Sequence, residues 1–196
     1  MLPISSNLLE NPHNYFSTVK GFILSPVENF ANLVHFECTN PDLNDFFHNE
    51  SSLYKKELLA ETYTLKHKNE KKIIALVSLS NDSIRLETNK QKRKIPNSKR
   101  KSFFPSILIS RLGVDKNFAN NNIGSYLLSM IKEIFILNNR TGCRFITVDA
   151  YNRKEDEGKV VNFYKKNNFE ILREKDLIEN KKTIRMYFDL IEYIKV

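Results

Sequence analysis

The sequence has little of what marks a secreted, disulfide-bonded or membrane-spanning protein. It contains two cysteines, Cys38 and Cys143, in 196 residues, and two isolated thiols form neither a disulfide framework nor a metal site. No window reaches the roughly 18 continuous apolar residues of a membrane span, and no basic segment followed by an apolar run opens the chain. We therefore expect a cytoplasmic protein without a bound metal, whose cysteines fill interior space.

The rest of the composition is that of one globular domain. Hydrophobic residues make up 41% of the chain, with 14 Phe and 8 Tyr, which is too apolar for disorder. Residues 1–17 are largely polar and include two prolines, so we expect an N-terminal arm there. Residues 18–196 are long enough to share one core.

Most of the net charge lies in one loop, residues 88–102. The formal net charge is +8, and seven cations without an acid lie between positions 90 and 101, which leaves 8 − 7 = +1 for the remainder. The seven are Lys90, Lys92, Arg93, Lys94, Lys99, Arg100 and Lys101. Such a segment can clamp a phosphate backbone, although a run of like charges is more often a solvated loop.

Apolar periodicity predicts a mixed α/β protein. Residues 61–68 and 72–80 predict an antiparallel hairpin, because only a short polar gap separates them. Further strands are predicted at 18–24, 32–38, 103–114, 144–150, 169–172 and 183–190. Helices are predicted in two pieces over 41–59, and over 123–139 and 159–167.

Three consecutive asparagines, Asn120, Asn121 and Asn122, stand where a predicted strand turns into a predicted helix. Asparagine tolerates the left-handed conformation and bonds nearby backbone, so this run predicts a tight turn. Backbone N–H groups kept unpaired at the start of a helix bind phosphate. The alternative is an ordinary asparagine-capped helix without a ligand.

Four segments of the chain, RLGVD, IGSYLL, FITVDAYN and NFYKKNNF, resemble those of the GNAT superfamily of acyl-CoA-dependent N-acyltransferases. The resemblance covers about residues 103–190. It implies an α+β fold in a single GNAT-like domain, with a mostly antiparallel mixed sheet of six to seven strands, helices on both faces and a splayed central strand pair. It also implies acetyl-CoA as the cofactor.

The family's turn reads Gln or Arg, two residues, Gly, one residue, then Gly or Ala. The matching positions here are Ala119, Asn122 and Gly124, and only Gly124 fits. Asn122 can supply the positive φ of a glycine, whereas Ala119 lacks a polar side chain. By resemblance, the residues that contact the cofactor are Leu112, Gly113, Val114, Phe118, Ala119, Asn120, Asn121, Asn122, Ile123, Gly124, Ser125 and Asn152. For Gly113 a structural kink is the alternative, and Asn152 is as readily a solvated loop residue.

Tyr164 resembles the general acid of the family. In direct attack by an amine within a ternary complex, CoA leaves as a thiolate, which a phenol can protonate. A phenol with a pKa near ~10 keeps its proton at neutral pH. The alternative is a half-buried aromatic residue on an amphipathic helix.

The acceptor amine is less well specified. The sequence nominates no base among Glu57, Glu61 and Asp149, which favours an α-amine that is already partly neutral at pH 7. Bacterial GNAT toxins that acetylate the amino acid of a charged tRNA look similar in FECTNPDLNDFF, in RLGVD and in the tyrosine. We therefore expect aminoacyl-tRNA, held by the basic loop, or a small-molecule or peptide amine. A homodimer is plausible, and a catalytically degenerate module that binds nucleic acid or protein is the alternative.

Overall fold

Among the described residues, eight strands are ordered by hydrogen bonding as β1-β2-β3-β4-β5-β6-β8-β7. The computed structural model describes residues 17–19, 21–92, 95–98, 101–119, 121–137, 141–152 and 158–194. The strands are β1 (Ser17–Val19), β2 (Phe22–Pro26), β3 (Glu61–His67), β4 (Ile73–Ile84), β5 (Phe104–Val114), β6 (Phe145–Tyr151), β7 (Glu170–Ile171) and β8 (Thr183–Asp189). The α-helices are α1 (Pro41–Asp45), α2 (Ser51–Lys56), α3 (Asn89–Lys92), α4 (Ile123–Leu137), α5 (Lys159–Lys166), α6 (Glu174–Ile178) and α7 (Leu190–Ile194).

The sheet is mixed and mostly antiparallel, which confirms the predicted fold class. β2 pairs antiparallel with β1 and β3, and β8 pairs antiparallel with β6 and β7. β5 and β6 are parallel, in register from Ser106↔Phe145 to Ile109↔Val148. Their registered pairs end there, although β5 continues to Val114. β3 and β4 are neighbours joined by the short turn 68–72, as the predicted hairpin requires.

The chain folds into two compact units. The first comprises residues 1–78, 111–140 and 192–196, and the second comprises 79–110 and 141–191. In the first unit, eight buried residues form one cluster: Val27, Leu33, Phe36, Cys38, Phe46, Phe47, Ile73 and Leu76. The predicted N-terminal arm lies outside the described residues, apart from Ser17.

The strand predicted at 32–38 is wrong. Residues Phe30–His35 form a 3₁₀ helix, which begins where the Asn29 side chain accepts a hydrogen bond from the Ala31 amide at 3.0 Å. Leu33 and Phe36 are both buried, and Phe30 packs against the same cluster. The apolar period is therefore three, as in a 3₁₀ helix, and not the two of a strand.

Two other segments of the first unit refine the prediction. The single strand expected at 18–24 is a hairpin of β1 and β2, in which Gly21 has a φ of +83°. The helical region expected in two pieces runs as α1, a π-helical turn over Phe46–Glu50, and α2. It starts at Asn40, whose side chain accepts from the Asp42 amide at 3.0 Å, with a proline next in the chain.

In the second unit, five apolar residues form a separate cluster: Ile84, Leu86, Phe104, Phe145 and Tyr187. Edge-to-face contacts run through it, with ring centroids 6.2 Å apart for Phe104–Phe145 and 5.9 Å apart for Phe145–Tyr187. No helix in the described part of the chain is long and apolar enough to cross a membrane.

Candidate functional site: the turn before α4 and Tyr164

The chain between β5 and α4 begins with a segment whose backbone donors are all used. Four consecutive amides donate hydrogen bonds of 2.9 Å within the first unit, those of Asp115, Lys116, Asn117 and Phe118. The buried Asp115 supplies two of the acceptors, its side chain for the Asn117 amide and its carbonyl for the Phe118 amide. The segment is thereby fixed as a short 3₁₀ turn over Lys116–Phe118.

This bonding bears on how Phe118 could contact a cofactor, a contact that stays a prediction. The sequence places the Phe118 amide among the donors that face the cofactor, but that amide donates to the Asp115 carbonyl at 2.9 Å. A 3₁₀ turn uses its third amide in this way, so the pattern follows from the Asp115 cap. The backbone of Phe118 therefore has no donor left for a ligand.

Beyond Phe118 the pattern reverses. Six amides donate no hydrogen bond to a backbone carbonyl of the described residues, those of Ala119, Asn121, Asn122, Ile123, Gly124 and Ser125. The first helical bond of α4 runs from the Tyr126 amide to the Asn122 carbonyl at 3.1 Å. Unpaired donors and the positive end of the helix dipole therefore coincide at this turn.

Asn122 has a φ of 57°. The turn therefore uses an asparagine in the left-handed conformation where the family has a glycine, as the sequence predicts. Gly124 lies inside the first turn of α4, and Asn120 lies outside the described residues.

Gly113 is buried at the end of β5, and the protein's own core explains why it is a glycine. A Cβ there would lie 3.3 Å from Phe36 Cζ, 3.3 Å from Phe47 Cε2 and 3.4 Å from Cys38 Sγ. The close approach is thus made by two aromatic rings on that side of the strand. The backbone groups of Leu112, Gly113 and Val114 stay predicted cofactor contacts.

In the second unit, Tyr164 lies on α5 with only 5% of its surface exposed. Its ring makes edge-to-face contacts with Phe163 and Phe169, at centroid distances of 5.1 and 5.3 Å. Burial raises the pKa of the Tyr164 phenol, because the phenolate would lose its hydration. The side chain is therefore a neutral O–H donor across the physiological range.

Asn152 has structural partners. Its amide donates to the Lys182 carbonyl at 2.9 Å, and its side-chain nitrogen donates to the Lys181 carbonyl at 3.1 Å. These bonds tie the end of β6 to the turn before β8 and distinguish Asn152 from a solvated loop residue. Its cofactor contact stays a prediction.

The described part of the basic loop is anchored to the second unit. The Gln91 side chain accepts from the amides of Glu87 and Thr88, each at 2.9 Å, and donates to the Leu172 carbonyl at 3.1 Å. Glu87 also pairs with Arg173 at 2.6 Å. Of the seven cations, Arg93, Lys94, Lys99 and Arg100 lie outside the described residues, and so does the Lys90 side chain.

The three carboxylates that the sequence leaves as possible general bases have different surroundings in the structure. Glu57 is exposed, and Asp149 pairs with Arg185 at 2.7 Å. Glu61 pairs with Lys55 through Oε2, whereas its Oε1 is buried without a partner among the described residues. No group of three or more metal-ligating side chains occurs in the part of the chain that is described.

A cation that the sequence analysis missed lies beside the turn. The Lys72 ammonium lies 4.9 Å from the centroid of the Phe118 ring. The two residues are far apart in the chain, so no local pattern signals this contact.

Comparisons with known proteins establish the fold. No family model and no curated protein matches the sequence. Among solved structures, a tyrosine-to-phenylalanine mutant of KacT is 17% identical with a TM-score of 0.70, over 90% of this chain and 99% of that one. AtaT complexed with acetyl-methionyl-tRNAfMet is 17% identical with a TM-score of 0.66, over 89% and 99%. AtaTR bound with acetyl-CoA is 17% identical with a TM-score of 0.64, over 91% and 100%. The chain therefore has the fold of these structures, which confirms the GNAT fold implied by the sequence resemblance.

Proposed function

We propose that the protein is an N-acetyltransferase that moves an acetyl group from acetyl-CoA to a primary amine. The observation that carries the proposal is the change at Phe118, where four bonded amides give way to amides that bond no backbone carbonyl of the described residues. It occurs in a fold that AtaTR shares, and AtaTR was solved with acetyl-CoA.

The turn before α4 offers hydrogen-bond donors and a partial positive charge to a diphosphate. Backbone amides from Ala119 to Ser125 would bind the diphosphate oxygens, with the left-handed Asn122 directing the chain into the helix. An anion at this point offsets the partial positive charge of the helix N-terminus. An asparagine-capped helix without a ligand would instead fill these donors with its own side chains.

Tyr164 is the proposed general acid. Acetyl-CoA, when bound, supplies a thioester from which the attacking amine displaces the CoA sulfur. The Tyr164 phenol holds a proton for that sulfur, and the amine loses its own proton to solvent or a base. The raised pKa of the phenol keeps it protonated before the reaction and returns it to the neutral form afterwards.

For the acceptor we favour aminoacyl-tRNA. AtaT was solved with acetyl-methionyl-tRNAfMet, an RNA that carries an acetylated amino acid. The α-amine of an aminoacyl ester needs little help to lose its proton at neutral pH, and the cations of the basic loop offer charge for a phosphate backbone. A small-molecule or peptide amine is the other acceptor class.

An acceptor screen tests the proposal. Thiol release from acetyl-CoA is followed with charged tRNA, polyamines, amino acids and peptides as acceptors. Tyr164→Phe should lower turnover at least ~10-fold with an unchanged melting temperature, because the ring contacts stay; unchanged turnover would remove the assigned role.

Two controls separate the alternatives. Absence of acetyl-CoA binding in calorimetry would favour the non-catalytic module. For tRNA, affinity should fall steeply with salt and largely vanish when the seven loop cations are neutralised; a flat salt response would exclude RNA.

A further inference from the structure

The start of β4 brings a cation to the turn that precedes α4. The Asp115 amide donates to the Ile74 carbonyl at 2.9 Å, so the first residues of β4 run beside the 3₁₀ turn. Lys72 directly precedes this strand. Its ammonium lies over the Phe118 ring at 4.9 Å from the centroid, a distance at which the ring quadrupole attracts a cation.

No acidic side chain neutralises Lys72 among the described residues. The other lysine of the segment, Lys116, pairs with Glu37 at 2.6 Å, and its charge is thereby compensated. Lys72 is exposed and forms no ion pair within the described ranges. The uncompensated ammonium of Lys72 thus contacts Phe118. Phe118 directly precedes Ala119, the first of the amides that bond no backbone carbonyl of the described residues.

We propose that Lys72 binds the diphosphate of acetyl-CoA and that the Phe118 ring holds its ammonium in position. This inference rests on the proposed function and adds to it a charged ligand outside the turn. Backbone amides carry only partial charges, so a diphosphate at the turn leaves negative charge for an ammonium to neutralise. Because the ring already restricts the Lys72 side chain, less conformational entropy is lost when Lys72 binds the ligand. Phe118 therefore contributes through its side chain and not through its amide.

The main test compares two lysine variants that make the same change in net charge. Lys72→Gln should raise the Kd for acetyl-CoA about tenfold in calorimetry. Lys71→Gln is the matched control, because Lys71 is the adjacent exposed lysine, and its Kd should stay within about twofold of wild type. Lys72→Arg keeps both the charge and the ring contact and should restore most of the affinity.

A second variant tests the role of the ring. Phe118→Leu keeps the amide bond to Asp115 but removes the aromatic face, so it should weaken acetyl-CoA binding about threefold. In the Lys72→Gln background the same change should have little further effect, because the cation that the ring holds is gone. Equal losses in both backgrounds would overturn the positioning role of Phe118.

Truncated ligands identify the phosphate involved. With 3′-dephospho-acetyl-CoA the wild type should still bind more tightly than Lys72→Gln, whereas with S-acetylpantetheine, which lacks the diphosphate, the two should bind alike. Loss of the difference with the dephospho ligand would overturn the diphosphate assignment in favour of the 3′-phosphate. A wild type that binds acetyl-CoA while Lys72→Gln matches Lys71→Gln would overturn this inference alone. A wild type that binds no acetyl-CoA would overturn both this inference and the proposed function.

Discussion

Gly113→Ala adds one buried carbon beside the rings of Phe36 and Phe47. The new Cβ would lie 3.3 Å from an atom of each ring and 3.4 Å from Cys38 Sγ, where ordinary contact is 3.4–4 Å. The substitution therefore requires the rings of Phe36 and Phe47 both to move by a few tenths of an ångström. We expect it to destabilise the fold.

The neighbours have little room to yield. Phe36 and Phe47 are 1% and 0% exposed and form an edge-to-face pair with centroids 5.7 Å apart. Phe47 also packs edge-to-face on Phe46 at 5.5 Å, so a shift of its ring propagates to a third residue. Overpacking of a close-packed core costs about 1–3 kcal/mol. Replacing glycine by alanine returns about 0.4–1 kcal/mol by restricting the unfolded chain. The net loss should be about 1–2 kcal/mol.

Urea denaturation measures this loss as a lower midpoint at an unchanged m-value. Gly142→Ala is the matched control, because a Cβ at Gly142 meets nothing within 4 Å. It should be neutral or slightly stabilising. Phe47→Leu should cost less in the Gly113→Ala background than in wild type, since it removes one of the overlapping atoms.

One outcome would refute this reasoning. If Gly113→Ala unfolds at the same urea concentration as Gly142→Ala but binds acetyl-CoA more weakly, the glycine exists for the approach of a ligand and not for the core. Calorimetry on the folded variants distinguishes the two explanations.

Two further predictions concern stability. Leu58→Gly should stabilise the fold by about 0.5–1 kcal/mol in urea, because Leu58 is 91% exposed at a φ of 56° in the position after α2 that favours glycine; a lower midpoint would contradict this. Burial lowers the pKa of Lys132 from 10.5 to about 8, so between those values the unfolded state binds more protons and stability should rise with pH. Lys132→Met should flatten this rise and be more stable than wild type below pH 8, measured as melting temperature against pH.

The sequence predicts elements where the apolar period is long enough to be unambiguous. Ile123, Leu127, Leu128 and Ile131 span two turns of α4 at helical spacing, and all four are buried. Over residues 32–38, seven positions do not separate a period of two from a period of three. The Asn29 cap decides between them, and it lies before the segment.

The candidate site is likewise predicted only where its signal lies within one segment of the chain. Chain-local signals identify the turn, the left-handed Asn122 and the helix that begins after it. The Phe118 amide donates to the Asp115 carbonyl, and the two groups meet only because the segment forms a 3₁₀ turn. Lys72 reaches Phe118 because β4 begins beside the end of β5. A contact that depends on strand order cannot be inferred from spacing along one chain segment.

The turn before α4 differs at two positions from that of the GNAT family, which the sequence resembles, and the two differences are of different kinds. Asn122 replaces a glycine yet takes the left-handed backbone, at φ 57°, so the direction of the neighbouring amides is kept at a cost of about 1 kcal/mol. Ala119 replaces a polar or cationic side chain, and no backbone conformation restores a charge. On our proposal Lys72, at the start of β4, supplies that charge, and the ring of Phe118 holds its ammonium in position. Backbone donors that position a ligand depend on the conformation of the turn, whereas a neutralising charge needs only to lie close to the ligand. The second can therefore move to another strand while the first stays in the turn.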